Sequence, residues 1–235
     1  MTNLKILSGG AAQGLVTNLT PTFKAQTGFD ISGEFGAVGA MAAKLRKGVP
    51  TDVVILTAAL VAKLAKEKLV VAAAVSDVGL VETALAVRKG DPLLAVRDET
   101  DLRQALLASD AIFVPDTKAS TAGIHVAKVL AQLGVADAVA ERLKIYPNGA
   151  TAMHHLAGSD AKRPIGCTQS TEIISTKGVV LSGPLPIGCE LSTMYTAGVT
   201  TLAANVKQAQ TLIDLLTSAD ARELRTRAGF LSAKK

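Results

Sequence analysis

The 235-residue chain has no tryptophan, two tyrosines and five phenylalanines, so aromatic residues make up only 3% of it. Proteins that hold single-stranded nucleic acid stack bases on aromatic platforms along a basic groove, and the material for such platforms is missing. The net charge is +5, and its basic residues are scattered, as in Lys44, Arg46 and Lys47 and later Lys63, Lys66 and Lys68. We therefore expect no nucleic-acid partner. A mild positive field suits a small anionic ligand better. Without large aromatics, the core has to be built from Ala, Val, Leu and Ile.

Long apolar runs are also lacking. Spanning a bilayer takes roughly 18 or more apolar residues, and the longest candidate, "LVVAAAV" at 69–75, is far shorter. It reads as a core segment, and no membrane insertion is expected. The N-terminus has neither a basic n-region nor a long apolar h-region, and "LKIL" at 4–7 already reads as a first strand. As the sequence stands, the expected location is cytoplasmic, or periplasmic if a signal peptide was removed.

The chain has two cysteines, Cys167 and Cys189, each inside a Pro-Ile-Gly-Cys tetrapeptide. They read as two buried small hydrophobes. A disulfide would need the fold to bring them together in an oxidising compartment. Two thiols without ligand-spaced histidines or carboxylates make no zinc site, so neither metal nor cofactor is expected.

Strand-like and helix-like stretches alternate along the chain. "LKIL" precedes a helical pattern over 13–26, with Leu15, Leu19 and Phe23 on one face. "FDISGEF" (29–35) precedes a helix over 38–47, and "TDVVILT" (51–57) precedes a helix over 58–68. The unbroken Val-Val-Ile-Leu marks a strand covered on both faces, as in a parallel sheet. Further strands are expected at 82–88, 111–116, 144–148, 164–170 and 194–200. Helices are expected near 100–108, 122–134, 203–217 and 219–228. This is an α/β chain, long enough for one or two domains.

In such folds ligands bind where strands end and helices begin, because the helix N-terminus offers unpaired N–H groups and a positive dipole. Four junctions have suitable residues: "SGGAAQ" (8–13), "EFGAVGAM" (34–41), "KASTAGIH" (118–125) and "PNGATAM" (147–153). The first lies in "LSGGAAQG", whose opening LSGG looks like the signature of ABC-transporter ATPases. That reading fails because neither a GxxxxGK[ST] loop nor a GxGxxG turn occurs in the chain.

The order and spacing of "LTPTFKAQTGFDISGEFGAVGAMAAKLRKGVPTDVVILT" (19–57), "STAGIHVAKVLAQLG" (120–134), "RPIGCTQSTEIISTKGVVLSGPLP" (163–186) and "ADARELRTRAGF" (219–230) carry a family resemblance. Together they resemble the molybdate-binding branch of the type 2 periplasmic solute-binding proteins. The resemblance implies two α/β lobes, each a mostly parallel sheet flanked by helices, joined by two crossing strands and closing on a ligand. It places the crossings near Leu85–Arg88 and Tyr195–Val199, with lobe I as 1–84 plus 196–235 and lobe II as 85–195.

The family's binding residues carry over only in part. Two serines that donate hydroxyls to the oxyanion fall near Gly10–Ala11 and Val38–Gly39, where no hydroxyl remains. The backbone donors of the second lobe match Ala122 and Ala150, and the tyrosine that completes the oxyanion site corresponds to Gln169. A tetrahedral oxyanion would be left short of donors, each missing partner costing about 1–3 kcal/mol. A small organic carboxylate is the better expectation. Arg88 could hold it bidentately, and Gln13, Thr57, Thr121, Gly123, Asn148, Gln169 and Tyr195 could assist. An ABC permease is a partner only if the protein is exported.

The same branch also resembles aconitate isomerase, which moves a double bond in a tricarboxylate. An isomerase acting on a di- or tricarboxylate needs a proton acceptor and a proton donor. The candidates are His125, in the first turn of a helix, and Glu34. His154 and His155 are about 100° apart on a helix and do not share a face.

Overall fold

The computed structural model describes residues 3–232. Two compact units divide the chain: residues 1–81 with 193–235, and residues 82–192. The chain passes between them a few residues before the expected crossings, within two long strands.

The first unit opens with β1 (Asn3–Gly9), a 3-10 turn at Gly10–Ala12 and α1 (Gln13–Thr27). It continues through β2 (Asp30–Gly36), α2 (Val38–Arg46), β3 (Val53–Thr57) and α3 (Ala58–Lys66) to β4 (Val70–Arg88), which leads into the second unit. There α4 (Glu99–Ala108), β5 (Ala111–Pro115), α5 (Thr121–Gln132) and α6 (Ala136–Val139) follow. Next come β6 (Leu143–Tyr146), α7 (Gly149–Ala157), β7 (Pro164–Gln169), α8 (Ser170–Ser175) and β8 (Val179–Pro184). The strand β9 (Ser192–Thr200) returns to the first unit, which ends with α9 (Val206–Thr217) and α10 (Arg222–Arg227).

In the first unit β1 is flanked by β2 and β3, all parallel, and β9 runs antiparallel to β3. Val53, Val54, Ile55 and Leu56 on β3 are all fully buried, as an unbroken apolar strand covered on both faces should be. Leu15, Leu19 and Phe23 put one face of α1 into the same core. Each such side chain adds about 1.5–3 kcal/mol by leaving water. Asp52, just before β3, fixes the edge away from the helix starts. Its carboxylate accepts from the N–H groups of Lys5, Ala204 and Asn205, at 2.8–2.9 Å.

In the second unit β5 lies between β6 and β7, all parallel, while β4 is antiparallel to β7 and pairs β8 on its other side. Alternate residues serve two cores. Leu85, Ile112 and Cys167 face one cluster, whereas Ala84, Ala86 and Phe113 face the other, following the period of two in a strand. Cys167 and Cys189 are both free, both buried and both in the first of these clusters. Burial pushes the Cys167 thiol up to about 12.

The stretch 69–75 corrects one expectation. It forms the start of β4, where Val70 is buried but Val71 and Val75 are more than a third exposed. Apolar composition alone does not say whether a neighbour covers a strand. Three elements absent from the sequence reading are α6, of four residues, and α8 and β8, of six each. No single helix among the described residues is long and apolar enough to cross a membrane.

Candidate functional site

In the first unit the parallel register brings three helix starts to one sheet edge. Gly9 ends β1 level with Gly36 at the end of β2, and Thr57 ends β3 opposite Tyr195 on β9. A Cβ on Gly9 would lie 2.8 Å from Val38 Cγ1 and 2.9 Å from Tyr195 Cε1. The turn of β1 therefore packs directly on the start of α2 and on β9, and glycine is needed for that approach. Gly10, Ala11, Val38 and Tyr195 are buried here, while Gly39 and Gln13 are exposed.

None of these helices has a side-chain cap. Ala12, Ala37 and Thr57 precede α1, α2 and α3, and none makes a side-chain capping bond. The first N–H groups of a helix have no partner inside it; ahead of α1 these belong to the 3-10 turn, since Gln13 N–H already donates to the Gly10 carbonyl, and the edge gathers the positive ends of three dipoles. Ser8 is the hydroxyl nearest the first turn, but its Oγ donates to the Gly9 carbonyl. Glu34 stands apart from the cluster. It is exposed on β2 and ion-paired with Lys44.

The second unit is built differently. Its α5 also starts without a side-chain cap, after Ser120. The preceding turn is shaped by Asp116, whose Oδ1 accepts from the N–H groups of Lys118 and Ala119. Gly123 sits so tightly on the end of β5 that a Cβ would lie 2.2 Å from the Asp116 carbonyl oxygen. Its role is packing, beside the buried Ala122 and the half-buried Thr121.

The start of α7 is occupied from within. Asn148 caps it, its Oδ1 accepting from Thr151 N–H at 2.8 Å. The buried Glu172 carboxylate accepts from the N–H groups of Gly149, Ala150 and Gln169, and from Thr168 Oγ1 at 2.6 Å. Ala150, expected to donate to a ligand, donates to this internal carboxylate. Burial raises the Glu172 pKa, although the four donors oppose that rise. Gln169 closes β7 opposite Thr83 on β4. Both are buried, and neither the Gln169 amide nor the Thr83 hydroxyl has a hydrogen-bond partner in the protein. The hydroxyl of Thr171 is in the same condition.

Two candidates, Arg88 and His125, have other contacts. Arg88 lies toward the opposite end of the sheet, because β4 runs antiparallel to β7 and only its earlier residue Thr83 meets the end of that strand. Its guanidinium is bound to Asp91, with Nε 2.8 Å from Oδ2, and to the Ser159 carbonyl. His125 donates from Nε2 to the Cys189 carbonyl at 2.8 Å, tying α5 to the loop before β9. His154 and His155 are exposed, and the His155 ring stacks on Tyr146 at 4.3 Å.

Sequence reasoning missed Glu172, Thr168 and Thr83. A faint signal existed in "TQSTE", where a threonine and a glutamate stand four apart at a strand-to-helix turn. What makes them a unit is α7, which is remote in sequence.

Comparisons with known proteins agree with this architecture. The chain is 25% identical over 232 residues to an aconitate isomerase from a Pseudomonas species, covering 94% of this chain and 84% of that protein. Among solved structures, the periplasmic molybdate-binding protein of Azotobacter vinelandii superposes with a TM-score of 0.82 at 18% identity. That match covers 98% of this chain and all of the other. The sulfate-binding protein SubI of Mycobacterium tuberculosis gives 0.77 at 19% identity, covering 100% of this chain and 88% of the other. At such identities the two structures speak for the fold alone. The family model described as bacterial extracellular solute-binding protein matches residues 4–231, and the chain belongs to that family.

Proposed function

We propose that the protein binds a small organic carboxylate through the uncapped helix starts of its first unit. The observation that carries this reading is the convergence of the α1 and α2 starts on Gly9, with neither a hydroxyl nor a cationic side chain assigned to the turns. Backbone N–H groups satisfy the two oxygens of a carboxylate well. A tetrahedral dianion such as molybdate asks for more donors than these turns supply. By the same reading the protein works outside the cytoplasm and delivers its ligand to an ABC permease.

The experiment is a thermal-shift panel of molybdate, tungstate, sulfate and small di- and tricarboxylates. A ligand that binds only the folded state raises the melting temperature by mass action. Stabilisation by a carboxylate and not by the oxyanions is the expected result; stabilisation by molybdate alone overturns it.

A second reading, an isomerase acting on a di- or tricarboxylate, is favoured by the Pseudomonas aconitate isomerase relative. In it His125 is the proton acceptor, through the Nδ1 that remains when Nε2 donates to the Cys189 carbonyl. Proton NMR of any stabilising acid in deuterated solvent separates the two readings. A shifted double bond or deuterium uptake makes the protein an enzyme, and an unchanged spectrum leaves it a binding protein.

A further inference from the structure

We infer that the second unit carries a binding site of its own for an amphipathic anion, an acid with one anionic head and an apolar tail. The site is a hollow at the end of the sheet where β7 begins. It uses none of the residues proposed above to hold a small carboxylate.

The hollow measures about 300 Å³ and is lined by Val87, Pro92, Leu94, Ala105, Pro164 and Ile165, all within the second unit. Small-molecule sites are of this order or larger, mostly apolar with a few placed polar groups. Small side chains keep it open. Ala105 and Ala108, three apart on α4, both line it, and a larger residue at either would fill the space. Leu93 also lines it and yet is 60% exposed. Its segment is pinned on both sides, by Arg88 Nε on Asp91 at 2.8 Å and by the Leu94 N–H on Ser182 Oγ at 2.7 Å. A leucine fixed at the rim leaves a preformed apolar space behind it. Ser109 lines the same hollow, but its hydroxyl donates to the Leu106 carbonyl at 2.8 Å. Water inside therefore finds few partners, and an apolar group gains by displacing it.

The charges at the hollow define the other half of the ligand. Asp91, Lys162 and Arg163 line it, and Asp91 is neutralised by its ion pair with Arg88. Lys162 and Arg163 are exposed, and neither forms an ion pair among the described residues. The Asp110 carboxylate accepts from their backbone N–H groups, at 2.8 and 2.9 Å, which fixes the backbone of both. The Arg163 charge also helps hold the Asp110 carboxyl below its usual range, so Lys162 is the freer cation. A cation beside apolar walls matches an anionic head on an apolar tail. A small polycarboxylate or an inorganic oxyanion brings no surface to cover those walls.

Isothermal titration of the full chain with butanoate, hexanoate and octanoate tests this. Each CH₂ that leaves water adds about fourfold in affinity, so each two-carbon step should tighten binding about tenfold. Ala108 is exposed, so Ala108→Phe can fill the hollow without entering the core. It should cost octanoate at least about tenfold in affinity by denying its tail that burial, while the melting temperature of the free protein holds. Lys162→Glu should weaken octanoate by about threefold or more, as an exposed charge contact would, and leave the dependence on chain length intact. Affinity that is flat with chain length, or no binding of octanoate, would overturn the inference. A length dependence that survives Ala108→Phe would overturn it too, by placing the tail elsewhere. Octanoate affinity unmoved by Lys162→Glu would overturn the pairing of this cation with the head.

Discussion

Glu172 and Gly149 are locked together: a Cβ placed on Gly149 would lie 1.9 Å from Glu172 Oε2 and 2.1 Å from Thr168 Oγ1. The first residue of α7 thus has to be glycine so that a carboxylate from α8 can reach the helix start. Gly149→Ala should destabilise the protein by about 2 kcal/mol, in the range for overpacking a closed site. Urea unfolding measures it directly. An unchanged midpoint would mean that α7 and α8 can separate at little cost.

The same carboxylate should leave a signature in the pH dependence of stability. Its folded pKa is raised above the ordinary glutamate value of about 4.5, chiefly by burial. The folded state therefore holds this proton more tightly than the unfolded state. The stabilisation is complete below about 4.5, the unfolded value, and is lost as pH rises through the folded pKa. The stability of the wild type minus that of Glu172→Gln should accordingly fall as pH increases from 4.5. A difference that grows with pH would show that the four donors outweigh burial.

Gly9→Ala probes the first unit. The added methyl meets Val38 and Tyr195 side chains, not backbone, so the neighbours can yield in part and the stability loss should be about 1 kcal/mol. The α2 start would shift, and affinity for the stabilising carboxylate should drop at least about tenfold. Calorimetry with that acid and a melting curve of the free variant separate the two effects. Intact affinity in a destabilised variant would move the ligand away from this turn.

Asp52→Ala should be costly for stability and neutral for ligand binding. It removes the acceptor for the N–H groups of Lys5, Ala204 and Asn205, at about 1 kcal/mol or more for each donor left unmet. A loss of about 3 kcal/mol in urea unfolding is expected. Affinity should stay within about twofold, because Asp52 precedes β3 while the helix starts follow the strand ends.

Much of the architecture was legible in the residues. Val53–Leu56 could only be a strand covered on both faces, and the spacing of Leu15, Leu19 and Phe23 set the buried face of α1. Gly9 and the turns at 37–39 were visible as helix starts after strands. The 69–75 stretch was misjudged because burial belongs to the neighbours of a strand and not to its composition. Short pieces such as α8 carry too few residues for a periodicity to emerge.

The sequence by itself determined the alternation of strands and helices, and with it the glycine-rich helix starts; these depend on spacing, backbone freedom and local dipoles. Tertiary structure alone decided which polar groups remain for a ligand. Arg88 reads as a fine anion-binding residue until β4 is seen to run antiparallel to β7, which carries its guanidinium away from the strand ends and into contact with Asp91. Ala150 reads as a backbone donor until Glu172 arrives from another helix to take its N–H. Gln169 keeps an unmet amide because its neighbour Thr83, 86 positions away in the chain, does not pair with it. Strand direction and long-range pairing set these outcomes, and neither is written in local spacing.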